Sequence, residues 1–174
     1  MLKVKAGDLD KMGLLFERYH RVLFGFLYHS TNHRATSEDL VQTVFYRMLK
    51  YRHTFSGEGE FRTWMYHLAR NVLNDEFKKN NRIKYQENFA EISDKQNTEN
   101  DLGENIEDTE STEVLQKSLS KLSIEYREVL ILSRYQELSY QEIGEILNIS
   151  EANVKVRVHR AIKELRNIYF KEYN

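Results

Sequence analysis

The stretch EANVKVRVHRAIKELR, residues 151–166, interleaves cations with β-branched apolar residues. Laid on a helix, Lys155, Val156, His159 and Arg160 fall at i, i+1, i+4 and i+5 and share one face, with Ala152 one turn earlier. Lys155, Arg157 and Arg160 can reach phosphate or guanine, and Val156 among them can meet a thymine methyl. A strand would instead bury Val154, Val156 and Val158 together behind Lys155, Arg157 and His159. The helix accounts for more of the text. Val154, Val158, Ala161, Ile162 and Leu165 form a single apolar face, and the flanking residues are helix formers. A solvated basic face on an ordinary amphipathic helix is the plain alternative.

The residues just before it supply an element to position that helix. Ser139 and Glu142 form an S-x-x-E capping box ahead of YQEIGEILN, and Asn148-Ile149-Ser150 reads as a short turn whose serine can cap the next helix. Gly144 would let the second helix approach the first closely. Two helices on a three-residue turn, the second with a basic outward face, make a helix-turn-helix. Its second helix enters the major groove with its N-terminal half near base edges.

Other chemistries find less support. Glu17 and His20 make one Glu-x-x-His, but a di-iron bundle needs two. His29 and His33 are four apart, with the second expected in a loop. The absence of cysteine excludes disulfides, thiolate zinc sites and thiol catalysis. No Gly-rich phosphate loop or nucleophile–base set appears. The expectation is a non-enzyme with no cofactor and no metal. No apolar run is long enough to span a membrane, and MLKVKAGDLDK lacks the apolar core of a signal peptide, so a cytoplasmic location is expected.

The rest of the chain also reads as helix, uninterrupted by proline. Residues 8–29 carry a stripe of Met12, Leu15, Phe16, Tyr19, Val22, Leu23, Phe26 and Leu27. HSTNHRATS follows as a loop, and Ser37 is expected to cap a second helix with Leu40, Val41, Val44, Phe45, Met48 and Leu49 on its apolar face. SGEGE breaks the pattern. A third helix then aligns Phe61, Trp64, Met65, Leu68 and Val72 and ends in Lys78, Lys79, Arg82 and Lys84. The net charge of −1 conceals a segregation: residues 86–113 hold ten acidic residues and one lysine, so the remainder is basic. A polar acidic run reads as a flexible linker, and two basic blocks around it suit a nucleic-acid partner. The expected fold is all-α: two small helical bundles joined by an acidic flexible linker, the C-terminal one with a helix-turn-helix. The units are 1–85, 86–111 and 112–174.

Two blocks carry a family resemblance. LSIEYREVLILSRYQELSYQEIGEILNISEANVKVRVHRAIKELR resembles region 4 of bacterial RNA polymerase sigma factors of the extracytoplasmic-function group, and SEDLVQTVFYRMLKYRHTFSGEGEFRTWMYHLARNVLNDEFKK resembles region 2 of the same group. They stand in the family's order, with a variable linker between. The resemblance implies that Asp39, Gln42, Thr43 and Tyr46 face the β′ coiled coil of core polymerase. The family often has a glutamate where Thr43 stands. It implies that the loop of Phe55, Ser56, Gly57 and Glu58 holds a base flipped from the −10 element, with Phe55 as a stacking candidate. Arg70, Asn71, Asn74 and Lys78 would then face −10 DNA. It implies that Ala152, Asn153, Lys155, Val156, His159 and Arg160 read the −35 element, where relatives often carry serine in place of Val156. The implied partners are core RNA polymerase, through β′ and the β flap, promoter DNA and an anti-sigma factor. The free chain is expected to be a monomer.

The runner-up is a dimeric helix-turn-helix regulator with an N-terminal sensor or dimerisation unit. It accounts for the C-terminal block and leaves DLVQTVF and GEGEFRTWMYHLARN unexplained.

Overall fold

The computed structural model describes residues 1–58, 60–90 and 110–173, with side chains for 1–58, 60–80 and 114–171. The expected flexible linker, the charged cluster beyond Lys79 and the loop residue Gly59 lie wholly or in part outside these. Among the described residues every regular element is helical. They are α1 (Leu2–Lys5), α2 (Lys11–Thr31), α3 (Arg34–Lys50), α4 (Phe61–Ala90), α5 (Glu110–Lys121), α6 (Ile124–Leu130), α7 (Tyr140–Leu147) and α8 (Glu151–Tyr173). A short 3₁₀ turn, Arg52–Thr54, precedes α4, and a widened π turn, Ile131–Tyr135, ends α6.

The first bundle packs α2, α3 and α4 around Leu23, Phe26, Leu27, Val44, Met48 and Met65, all fully buried. Two residues of the expected α2 stripe, Phe16 and Val22, stay 42% exposed. The loop expected at HSTNHRATS is almost absent. α2 continues to Thr31, Asn32 closes it in the left-handed conformation at φ 55°, and α3 begins at Arg34. The cap is His33, whose Nδ1 accepts from the Thr36 amide at 3.2 Å. Ser37, expected as the cap, is buried in the first turn and donates to the His33 carbonyl at 2.7 Å. A histidine can cap because a neutral imidazole nitrogen accepts like a side-chain oxygen.

α4 is apolar on two faces. Met65 and Val72 lie on the expected stripe, but Tyr66, Ala69 and Leu73 are buried as well. That second face meets the C-terminal half, so the two bundles are packed together. Tyr66 donates to Gln136 Oε1 and Arg62 donates to the Gln136 carbonyl, each at 2.5 Å. Burial pushes the Tyr66 phenol up to about 12 against the pull of nearby Arg62, so it is a neutral donor at physiological pH. Arg70 Nε reaches Glu128 at 2.7 Å. His29 pairs with Gln116 at 2.8 Å and lies against the Tyr135 ring, and Arg127 reaches from α6 to the Ser30 carbonyl at 3.0 Å. The helix boundaries also differ from expectation: α4 runs to Ala90, past the expected end of the first unit at 85, and α5 starts at Glu110.

Candidate nucleic-acid interface

α7 and α8 form the helix-turn-helix. The capping box is complete. Ser139 Oγ accepts from the Glu142 amide at 3.2 Å, and Glu142 accepts from the Ser139 amide at 2.7 Å. Asn148 ends α7 in the left-handed conformation, and Ser150 caps α8 by accepting from the Asn153 amide at 3.3 Å. Gly144 does permit a close approach, of the turn first and then of the start of the second helix, whose Glu151 nitrogen would lie 3.6 Å from a Cβ there. A Cβ there would lie 2.8 Å from the Ile149 carbonyl oxygen.

On α8, Val154 is 0% exposed and Val158 2%, whereas Val156 is 46% exposed. Ala152, Asn153, Lys155, His159 and Arg160 are exposed beside it. The helix therefore separates the valines as its phase requires, and the outer face offers two cations, an imidazole and an apolar group together. Arg157, expected among the groups that reach phosphate or guanine, is instead half-buried and lies 3.3 Å from Glu125.

On α3, Asp39, Gln42 and Tyr46 are exposed, with Tyr46 at 63%. Thr43 is half-buried and donates to the Asp39 carbonyl at 3.0 Å, so its hydroxyl is turned onto its own helix. Beside this face, a groove of about 440 Å³ runs between α2 and α3, lined by Phe16, His20, Phe24, Val41 and Gln42 among others.

The loop before α4 departs from the expectation at Phe55. Its ring is buried against Phe61 and Trp64, at 6.0 and 5.4 Å between centroids. It anchors the loop and offers no face to a base. Trp64, half-buried on the same cluster, donates to Thr54 Oγ1 at 3.2 Å. Ser56, Gly57 and Glu58 are exposed. Gly57 takes φ +87°, a conformation that favours glycine. On α4, Asn71 and Lys78 are exposed and Asn74 is half-buried. Arg70 is instead engaged by Glu128, and Asp75 pairs with Arg47 at 2.7 Å. The histidines considered as ligands have other partners: His20 stacks on Phe16, His29 bonds to Gln116 and His33 caps α3.

Comparison with known proteins matches these two blocks separately. Residues 15–83 match the sigma-70 region 2 family and residues 112–165 match sigma-70 region 4. The chain is 34% identical to the RNA polymerase sigma factor YlaC of Bacillus subtilis over 90% of its length and 91% of that protein's. It is 32% identical to the extracytoplasmic-function sigma factor SigX of the same organism, over 88% of this chain and 80% of that one. The chain belongs to the sigma-70 family, in its extracytoplasmic-function group. Among solved structures it is similar in fold to the sigma factor RpoE of Bartonella quintana, solved with the anti-sigma factor NepR. The TM-score is 0.72, with 20% identity, over 90% of this chain and 94% of that chain. CnrH, solved with the cytosolic domain of CnrY, is similar at TM-score 0.70 and 20% identity, over 96% of this chain and 92% of that chain.

For this sigma factor, the N-terminal block is thereby explained in a way that a dimeric regulator does not explain it. Some site features still had no signal in the sequence. The four-residue α1 is too short for periodicity, and the partners of Arg70 and Gln136 come from segments far away in the chain. The inward turn of Gln136 follows from the π turn, where its amide bonds to the Ile131 carbonyl at 3.1 Å. Such one-turn widenings leave no composition cue.

Proposed function

We propose that this sigma factor binds core RNA polymerase through the outer face of α3 and directs it to promoters by reading the −35 element with α8 and opening the −10 element around the loop before α4. The supporting observation is the valine separation on α8. Val154 and Val158 are spent on the core, leaving Val156 exposed among Lys155, His159 and Arg160 at the second helix of a helix-turn-helix. Cations that pair with guanine and an apolar group that meets a thymine methyl are among the contacts that read base edges. Cytoplasmic action follows from the partner, and no described helix is long and apolar enough to cross a membrane. The family likeness, and two fold relatives solved with an anti-sigma factor or a cytosolic partner domain, support an anti-sigma factor as a further partner.

The test separates the two surfaces. Asp39→Arg combined with Gln42→Ala reverses a charge on an exposed face, so helicity is expected to stay intact. Reversing a charge at a desolvated interface costs of order 2–5 kcal/mol. Pull-down with core polymerase is expected to lose the double variant while −35 duplex binding is retained. Equal retention of the variant and the wild type would place the polymerase interface elsewhere.

A further inference from the structure

The loop Phe55–Glu58 is held from two directions. From below, the Phe55 ring is wedged against Phe61 and Trp64. Within the loop, Ser56 Oγ accepts from the Glu58 amide at 3.1 Å and lies 3.2 Å from the Glu58 carbonyl. These bonds shape a turn without fixing its place on the protein. From the side comes α1. Val4 is fully buried and anchors α1. Lys5 Nζ then donates to the Phe55 carbonyl at 2.6 Å, across fifty residues of sequence. Leu2 lies on Gly57: a Cβ on that glycine would sit 2.7 Å from Leu2 Cδ2. Leu2 is nevertheless 58% exposed, so its role is contact with the loop rather than filling of the core.

We propose that Leu2 and Lys5 are positioning residues for the Phe55–Glu58 loop and so determine which −10 base that loop accepts. This rests on the reading of the loop as the base-holding element. A base pocket discriminates only when its walls are fixed to within a fraction of an ångström, and a loop with a left-handed glycine has little stiffness of its own. The charge-assisted hydrogen bond to the Phe55 carbonyl fixes the loop's first residue, and the Leu2 side chain fixes the glycine that follows. The two contacts are chemically independent, one a charge-assisted hydrogen bond and one apolar, which lets an experiment separate positioning from simple charge.

The experiment uses the full chain bound to core polymerase and single-stranded −10 oligonucleotides carrying each of the four bases at each position. The variants are Lys5→Met, Leu2→Ala and Gly57→Ala, with thermal melts, core binding and −35 duplex binding as controls. Lys5→Met and Leu2→Ala are each expected to reduce base discrimination by about five- to tenfold, the scale of one ordinary net hydrogen bond or contact. The controls are expected to stay at wild-type values. Lys5→Arg, which retains a donor, is expected to restore discrimination. If Lys5→Met weakens every oligonucleotide equally and Leu2→Ala does nothing, Lys5 is a phosphate contact and the proposal fails. If both are silent while Gly57→Ala abolishes discrimination, the loop holds the base without help from α1, and only this inference falls. If Gly57→Ala is silent too, the reading of the loop falls with it.

Discussion

Val156 and Val158 sit two residues apart and do opposite work. Val158 is buried in the core, whereas Val156 faces outward among cations. Val158→Asp places a charge without a partner in that core and is expected to unfold the C-terminal half. Val156→Ser removes an exposed apolar group, so the melting temperature is expected to hardly move. Its effect is expected at one or two base pairs of the −35 element, about 1–3 kcal/mol each. Thermal melts paired with promoter-library selection measure both. A melt caused by Val156→Ser, with promoter choice unchanged, would contradict the assigned helical phase. This separation was legible in the sequence because it follows from the 3.6-residue period alone. Phe55 was not legible in the same way. An aromatic residue beside two glycines reads equally well as a base platform or as an anchor, and only Phe61 and Trp64, brought in by the fold, decide for the anchor.

At the scale of elements, the helix-turn-helix depends on local chemistry and its signals were readable: a capping box, a short turn at Asn148-Ile149-Ser150 and a capping serine. Gly144 carries the tightest requirement. Alanine there would drive a methyl to 2.8 Å from a backbone oxygen that the turn cannot easily move. Gly144→Ala is therefore expected to destabilise the C-terminal half by about 1–3 kcal/mol despite alanine's better helix propensity. Chemical denaturation checks this; a stabilised variant would mean that the turn can relax away from α7. Other elements hid their purpose. α4 shows one apolar stripe to a period count, yet Tyr66, Ala69 and Leu73 make a second face whose partner lies beyond the linker. Within the block SIEYREVLILSRYQE, α6 ends in a π turn that swings Gln136 into the interface. A hydrogen-bond register of that kind is set by tertiary packing, which a single sequence does not display.

The two halves meet through the second apolar face of α4 and a set of polar contacts, and the titratable groups among those contacts make stability depend on pH. Burial holds His29 below its ordinary 6.5, with the Gln116 bond opposing; Tyr28 and Tyr135 are its aromatic neighbours. The folded state therefore binds fewer protons than the unfolded one below 6.5, so this contribution is complete above that value and is lost as pH falls through the lower folded value. Glu128 has the opposite sign. Burial raises it against the pull of Arg70, so its contribution is complete below its ordinary 4.5 and fades as pH rises through the folded value. His29→Gln, which keeps a hydrogen-bonding side chain, is expected to lose less melting temperature than wild type between about pH 7.5 and about pH 5.5. Equal losses would show that His29 does not govern the acid limb. Arg70→Ala leaves the Glu128 carboxylate, 12% exposed, without its partner and is expected to cost about 1–3 kcal/mol near neutral pH, whereas Glu128→Gln is expected to be near neutral. Denaturation of the two variants side by side measures the contrast, and equal costs would show the pair to be of no consequence. The central claim, that this chain gives core polymerase its choice of promoter, is tested most directly by run-off transcription on genomic fragments with purified core enzyme. Discrete start sites are expected only when the chain is added, and they are expected to vanish when Lys155 and Arg160 are both replaced by alanine. Identical transcripts with and without the chain, or start sites indifferent to that double substitution, would contradict it.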